Sequence, residues 1–199
     1  MKKILTLLTA SVLIAIGLTA LYKHLTYQFE TITENRVYKS GAMPPETLIE
    51  YVKEYKIKTV IDLRHQDLHD ALNPGTITEI MAERKALEGV EGVNHVHIPS
   101  GQIPSQKTLT KFYEVLDDNS SYPVLIHCYH GTGRAMIYSS LYRIEYENWG
   151  NEQARDKTRL LVKWSSFDEG KGKGNFLIHY KKRDSGEFDS NHFKKSRAY

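Results

Sequence analysis

One short stretch, residues 127–134 with the sequence His-Cys-Tyr-His-Gly-Thr-Gly-Arg, constrains the fold more than any other part of the chain. The apolar run Pro123 to Ile126 before it predicts a buried strand, and the segment Ala135 to Trp149 after it predicts a helix. A glycine-containing loop between a strand and a helix N-terminus gathers backbone N–H groups at the positive end of the helix dipole, an arrangement that binds anions. The sequence therefore predicts an α/β protein with an anion site at this loop.

Two side chains of this loop indicate that the site reacts as well as binds. Cys128 stands where the field of the amide groups favours the thiolate, which is the nucleophilic form of a cysteine. Arg134 is placed to hold two phosphate oxygens with its planar guanidinium, and His127 is expected to support the loop by hydrogen bonds. The predicted phosphate-binding positions of the loop, with Arg134, are Tyr129, His130, Gly131, Thr132 and Gly133. A thiolate facing a bound phosphate is the layout of covalent phosphoryl transfer.

This stretch resembles the signature His-Cys-five residues-Arg of the cysteine-dependent protein tyrosine and dual-specificity phosphatases, and in particular their small bacterial periplasmic members. The resemblance continues through 141–144 (Leu-Tyr-Arg-Ile) and 149–154, and back to 36–41 (Arg-Val-Tyr-Lys-Ser-Gly), so that it covers about residues 36 to 165. It implies a central, mainly parallel sheet flanked by helices and a hydrolase that uses no cofactor. It also implies that Cys128 is the nucleophile and Arg134 the phosphate-binding arginine.

The sequence departs from the family pattern in two places. Ala135 stands where the family usually has a Ser or Thr that helps the cysteine leave the phospho-enzyme. The loop 99–105, which in the family supplies an aspartic acid, contains no carboxylate. The candidates for a replacement general acid are Asp62, Asp67, Asp70 and His130.

These departures also bear on the substrate. A phenol leaves with less help from an acid than an alkyl alcohol does, so the sequence favours phosphotyrosine, on a protein or in a small molecule, and similar aryl phosphate monoesters. His130 stands where phosphoinositide-directed relatives tend to carry lysine, which disfavours a highly charged inositol substrate.

Strands alternate with helices along the rest of the core, which predicts a parallel sheet with right-handed crossovers and the Cys128 loop at its carboxyl edge. In chain order we expect a helix beginning at Pro44 and Pro45, a strand at 59–63, a helix with Ile77, Ile80, Met81 and Leu87 on its apolar face that ends near Gly89, a strand at 93–98, a helix capped by Ser105, a helix at 152–164, a flexible break at 170–174 and a last helix at 175–182.

The N-terminus predicts a membrane segment. Met1-Lys2-Lys3 precedes 19 uncharged, mainly apolar residues, 4–22, and a helix of that length spans about 28 Å, enough for a bilayer core. We favour an uncleaved anchor over a cleaved signal peptide, because Leu18-Thr19-Ala20 is a poor cleavage site. In either case the domain is expected outside the cytoplasm, anchored in the periplasm or at the cell surface, or secreted after cleavage. The predicted organisation is a membrane segment 1–22, a tether 23–35, a catalytic domain 36–182 and a charged tail 183–199.

Composition limits other functions. A net charge of +3 gives no support to nucleic-acid binding, and a single cysteine excludes an internal disulfide and any zinc site of several thiolates. The histidine pairs, His95 with His97 and His65 with His69, lack a zinc-ligand spacing, so we expect no metal site.

Two alternatives to a phosphatase stay open. One is a phosphate-binding module that no longer turns over, which the two departures motivate. The other is a different cysteine enzyme with the same loop, such as a sulfur transferase or an arsenate reductase. Because arsenate reductases commonly recycle through further thiols and Cys128 has no companion, that second alternative is disfavoured.

Overall fold

The computed structural model describes residues 25–65, 77–158 and 165–183, together with isolated positions before residue 25. In this part of the chain a five-stranded sheet has the order β1-β2-β5-β3-β4. β1 pairs antiparallel with β2, and the other three strand pairs are parallel. The strands are β1 (Glu30–Thr33), β2 (Val37–Ser40), β3 (Thr59–Asp62), β4 (Asn94–His97) and β5 (Val124–His127).

Helices cover both faces of the sheet. They are α1 (Pro45–Glu54), α2 (Ile77–Glu88), α3 (Gln106–Asp117), α4 (Arg134–Tyr146), α5 (Asn151–Lys157) and α6 (Gly172–Ile178), with a 3₁₀ turn at Asn119–Ser121. α1 and α2 contribute to a core against one face, and α3, α4, α5 and α6 contribute to a second core against the other. The predicted α/β class with a mainly parallel sheet flanked by helices is confirmed.

The central strand β5 explains why its sequence is a continuous apolar run rather than an alternating one. Val124 and Ile126 point into the core under α3 and α4, whereas Leu125 points into the core under α1 and α2. A parallel strand covered by helices on both faces needs apolar side chains on each. Because β5 also lies between β2 and β3, the loop that follows it emerges in the middle of the carboxyl edge.

Most of the predicted elements are confirmed. α1 begins at Pro45, β3 and β4 occupy the predicted strands, and Ser105 caps α3 by accepting a hydrogen bond from the Thr108 N–H at 3.3 Å. These elements rest on local rules of capping, proline placement and apolar patterning, which hold wherever the segment ends up.

The tether prediction for 23–35 is wrong over 30–33, which form the edge strand β1. Phe29 just before it is buried and stacks on Tyr38. The polar sequence of this segment did not predict a strand, because β1 is half-exposed and is held mainly by its backbone pairing with β2. The packed domain therefore begins before residue 36.

The apolar face predicted for α2 is partly wrong. Ile80 and Leu87 are buried, but Ile77 and Met81 are exposed, and Glu83 is buried instead. The Glu83 carboxylate points toward the sheet because it binds Arg64 and His127 there, as described below.

The C-terminal elements are shifted from their predicted bounds. α4 ends at Tyr146, three residues before Trp149, and α5 ends at Lys157, while the remainder of the helix predicted to Trp164 lies outside the described residues. α6 begins at Gly172, inside the predicted flexible break. Gly174 serves close packing rather than flexibility, since a Cβ there would lie 2.0 Å from the Asp168 carbonyl oxygen.

Segment 1–22, predicted to be a membrane anchor or signal, lies largely outside the described residues, as does the tail after Arg183. Its described apolar residues Val12, Ile14, Leu18 and Leu21 are helical and exposed. Within the residues that the structure describes, no helix combines the length and apolar character needed to span a bilayer.

Candidate active site

The loop 128–133 leaves the carboxyl end of β5 and enters α4, whose N-cap is Gly133. Two neighbouring segments fasten its first half. The Ala42 N–H donates to the Tyr129 carbonyl at 2.9 Å, and the Leu63 N–H donates to the His127 carbonyl at 2.9 Å. The loop is thus held between the ends of β2 and β3, at the carboxyl edge of the sheet where ligands of open α/β sheets bind.

Gly131 is needed at the tightest point of this loop. Its φ is +73°, and a Cβ built on it would lie 2.5 Å from the Gly41 nitrogen and 2.7 Å from the Ser40 carbonyl carbon. Gly41 is similarly confined, because its own Cβ would lie 3.1 Å from the Tyr129 oxygen. The glycines of 36–41 and of the loop therefore permit one close contact between two backbones.

Cys128 lies at the bottom of the loop with 2% of its surface exposed. Its Sγ accepts a hydrogen bond from the Gly131 N–H at 3.3 Å. A phosphoryl group bound to this sulfur would therefore lie close to the Gly131 amide. This places the thiol and a loop amide together, as covalent phosphoryl transfer needs.

Arg134 is buried at the first position of α4, and its guanidinium is anchored on one side. Nη1 donates to the Leu63 carbonyl at 2.9 Å and to the Ser100 carbonyl at 3.1 Å. The Tyr138 hydroxyl donates to Ser100 Oγ at 2.9 Å, so the loop 99–105, which has no carboxylate and is called the acid-free loop below, is fixed from the same helix. These bonds hold the plane of the guanidinium, which is what bidentate phosphate binding depends on.

A buried charged cluster lies behind His127 and consists of Asp62, Arg64, Glu83, His95 and His127. Glu83 Oε1 accepts from His127 Nε2 at 2.9 Å and from His95 Nε2 at 3.1 Å. Arg64 Nη2 donates to Glu83 Oε2 at 2.7 Å and to Asp62 Oδ2 at 2.9 Å. His127 is thereby held from α2, the element that carries Glu83.

Charge pairing sets the protonation of this cluster. Burial acts to raise the pKa of Glu83, but the charges and hydrogen bonds of His127, His95 and Arg64 outweigh it, so the pKa lies well below its ordinary value. Burial acts to lower the pKa of His127, but the negative charges of Glu83 and Asp62 outweigh it and raise that pKa. A Glu83 carboxylate facing a His127 imidazolium is therefore the favoured state.

Lys39 on β2 is a further buried cation, close enough to Cys128 for the two charges to interact. Its Nζ donates to the Gln28 carbonyl at 3.0 Å and lies 3.3 Å from Glu30 Oε2. Burial lowers its pKa, while the charges of Glu30 and of a Cys128 thiolate act in the opposite direction. Sequence reasoning placed Lys39 only within the 36–41 resemblance and missed its burial and its pairing with Glu30. It missed the burial of Glu83 in the same way, because burial of a charged side chain has no local sequence pattern.

The candidates for the general acid lie in different surroundings. Asp62 is fully buried, and its carboxylate accepts hydrogen bonds from Arg64 Nε and Nη2, which weighs against its reaching a leaving group. Asp67 and Asp70 lie outside the described residues. His130 is exposed within the loop, with its ring 4.7 Å from that of Tyr129. The identity of the acid stays a prediction.

Of the histidines considered for a metal, His95 and His97 have other partners, and His65 is exposed. His95 bonds to Glu83, and His97 Nε2 donates to the Arg64 carbonyl at 2.9 Å, while His69 lies outside the described residues. Asp62, Glu83 and His127 offer ligand atoms within 4.8 Å of one another, but the Arg64 guanidinium already pairs with both carboxylates. Arg64 supplies the positive charge that a metal ion would bring.

Comparison with known proteins agrees with this geometry. Residues 22–171 match the sequence profile of the family described as "DSP-PTPase phosphatase fused to NAD+ Kinase". A relative from Oryza sativa subsp. japonica, named "Probable NAD kinase 2, chloroplastic", is 27% identical over 103 residues, which are 52% of this chain and 10% of that protein. The chain therefore spans about a tenth of the length of this relative.

Solved structures share the fold. The catalytic core of the PP-IP phosphatase SIW14 from S. cerevisiae, in complex with citrate, has a TM-score of 0.58 at 17% identity, covering 85% of this chain and 91% of that one. TpbA from P. aeruginosa has a TM-score of 0.55 at 16% identity, covering 87% and 92%. A DUF442 protein from Shewanella putrefaciens CN-32 has a TM-score of 0.53 at 20% identity, covering 79% and 93%.

Proposed function

Since the chain belongs to the DSP-PTPase family of cysteine-dependent phosphatases, we propose that it hydrolyses phosphotyrosine or similar aryl phosphate monoesters through a phospho-cysteine intermediate. The observation that carries the proposal is the hydrogen bond of 3.3 Å that the Gly131 N–H donates to Cys128 Sγ. Arg134, which follows this loop, is anchored by two backbone carbonyls. In the proposed complex the sulfur, the loop amides and the guanidinium bind the same phosphate group.

The reaction has two steps. In the first, the Cys128 thiolate attacks phosphorus, the S–P bond forms, and the P–O bond breaks with its electrons on the departing oxygen. The loop amides and Arg134 stabilise the charge on the phosphoryl oxygens in the transition state. In the second, water attacks the phospho-cysteine, inorganic phosphate forms and the thiolate is restored.

The preference for aryl esters follows from the residues of the loop 99–105. Ser100 is fully buried and its carbonyl accepts from Arg134, so this loop is fixed without offering a carboxyl group. A phenolate is a far weaker base than an alkoxide and leaves with less protonation. A phosphorylated protein or a small aryl phosphate is therefore the proposed substrate class.

The deciding assay is hydrolysis of para-nitrophenyl phosphate by the full chain in detergent, wild type against Cys128→Ser. We expect turnover by the wild type and a loss of at least about 10³-fold in the variant, which lacks a thiolate but keeps the amides and Arg134. The variant should still bind inorganic phosphate in calorimetry. Activity within tenfold of wild type would remove Cys128 from the mechanism.

The proposal includes export and tethering through residues 1–22. Its support is the basic start Met1-Lys2-Lys3 ahead of an uncharged apolar segment. A periplasm-dependent reporter fused after Tyr199 should be active, and a high-salt wash should leave the chain in the membrane fraction. A soluble mature form that begins near Leu21 would establish a cleaved signal peptide, and a reporter active only in the cytoplasm would refute both versions.

A phosphate-binding module without turnover is the second candidate, motivated by Ala135. This residue is fully buried directly after Arg134 and has no hydroxyl to assist the second step. For such a module, calorimetry would show phosphate binding by the wild type while the para-nitrophenyl phosphate assay showed no product above the Cys128→Ser background.

A further inference from the structure

The ammonium group of Lys173 on α6 lies close to the loop 128–133, called the phosphate loop below. A Cβ built on Gly133 would lie 2.9 Å from Lys173 Nζ and 3.7 Å from Gln102 Oε1. The ammonium thus lies against the backbone residue directly before Arg134. Gln102 belongs to the acid-free loop 99–105, so the element that lacks a carboxyl group and Lys173 meet at the same point of the phosphate loop.

The fold holds Lys173 in this place. Gly174 approaches the Asp168 carbonyl so closely that a Cβ would lie 2.0 Å from its oxygen, which fixes the start of α6 against the preceding turn. The Lys173 ammonium lies 5.6 Å from the centre of the Phe167 ring, within the range of a cation–π contact. A Cβ on the first residue of α6 would lie 3.5 Å from Ile103 Cδ1, so α6 also packs on the acid-free loop.

We propose that Lys173 is a catalytic residue that stabilises the departing oxygen, in place of the carboxylic acid that the loop 99–105 lacks; this rests on the phosphatase function proposed above. As the P–O bond breaks, its electron pair moves to the ester oxygen, and the ammonium donates a hydrogen bond to the charge that develops there. Lys173 keeps its proton. The departed oxygen takes a proton from water, and the water that attacks phospho-cysteine in the second step releases one.

This role differs measurably from phosphate binding alone. A cation that binds only the transferred phosphoryl oxygens acts equally on every ester, because those oxygens are the same in each. A cation at the departing oxygen acts more strongly when more charge develops on that oxygen, which happens with alkyl and weakly acidic phenol leaving groups. The dependence of kcat/KM on leaving-group basicity therefore separates the two roles.

The experiment compares full-length wild type, Lys173→Ala and Lys173→Arg on aryl phosphates of graded leaving-group acidity and on one alkyl phosphate. Lys171→Ala is the matched control, since Lys171 is exposed two residues earlier. We expect Lys173→Ala to lower kcat/KM by about 10²–10³-fold for the alkyl ester and by less than about tenfold for para-nitrophenyl phosphate, whose leaving group is weakly basic. Lys173→Arg should recover most of the loss, and Lys171→Ala should match wild type.

Each outcome decides. A steeper dependence on leaving-group basicity in Lys173→Ala, with unchanged thermal unfolding, supports the role. Equal losses on all esters, or no loss, in the presence of an active wild type would overturn the role of Lys173 alone. A wild type without turnover on any ester would overturn the phosphatase function and the role of Lys173 together.

Discussion

Replacing Glu83 by alanine tests whether the buried charged cluster supports the active-site loop. The change removes the acceptor of three hydrogen bonds, from Arg64 at 2.7 Å, His127 at 2.9 Å and His95 at 3.1 Å. Arg64 keeps Asp62 as a partner, but both imidazoles lose the carboxylate that they share. The free energy of unfolding is therefore lowered in two ways: one buried ion pair is broken, and buried hydrogen-bond donors are left unsatisfied.

Breaking a buried ion pair by removing one partner costs about 3–5 kcal/mol. A buried donor left without an acceptor costs about 1–3 kcal/mol, so the two imidazoles together would cost about 2–6 kcal/mol, a range that overlaps the cost of the broken ion pair. We therefore expect Glu83→Ala to lower the free energy of unfolding by about 3–5 kcal/mol, or the Tm by about 6–20 °C for a chain of this size. Urea denaturation followed by circular dichroism measures the first, and a thermal scan the second.

Glu88→Ala is the matched control, because Glu88 is exposed at the end of the same helix. It should stay within about 0.5 kcal/mol of wild type. A loss below about 1 kcal/mol in Glu83→Ala would refute the reasoning, since it would mean that the cluster relaxes around the missing carboxylate and does not hold His127.

Three further predictions concern the same site. The stability difference between wild type and Glu83→Gln should be largest between about pH 4.5 and 6.5, the ordinary pKa values of the two groups. It should shrink as the pH rises through the raised pKa of His127, which then loses its charge, and as the pH falls through the lowered pKa of Glu83; a difference that is flat from pH 4 to 9 in urea titrations would contradict the pairing. Gly131→Ala, with φ of +73° and a Cβ 2.5 Å from a backbone nitrogen, should lose about 2 kcal/mol or more in urea denaturation, whereas Gly89→Ala, whose Cβ meets only an ordinary contact, should lose less than about 1 kcal/mol. Rapid mixing with para-nitrophenyl phosphate should show a burst of nitrophenol because phospho-cysteine accumulates, and Ala135→Ser should raise the steady rate without enlarging the burst; no burst together with no effect of Ala135→Ser would show that breakdown of the intermediate is not limiting.

The sequence by itself determined the elements whose causes are local. The apolar run before Cys128 indicated a buried strand, the two glycines after it indicated an anion-binding loop, and Ser105 indicated the start of a helix. Each depends on residues next to one another in the chain, because a buried strand, a residue with positive φ and a helix cap leave their mark within a few positions. The placement of Cys128 and Arg134 at the two ends of one strand-to-helix connection followed for the same reason.

Only the tertiary structure decided which distant residues surround that loop. Glu83 lies 44 residues before His127 in the chain, and its burial contradicts the apolar face that the α2 sequence predicts. Lys173 belongs to a glycine-rich stretch predicted as a flexible break, yet its ammonium reaches Gly133. Such contacts depend on how helices pack across the sheet, and a charged side chain is buried only where partners from other elements offset its loss of water, which the residues beside it in the sequence do not specify.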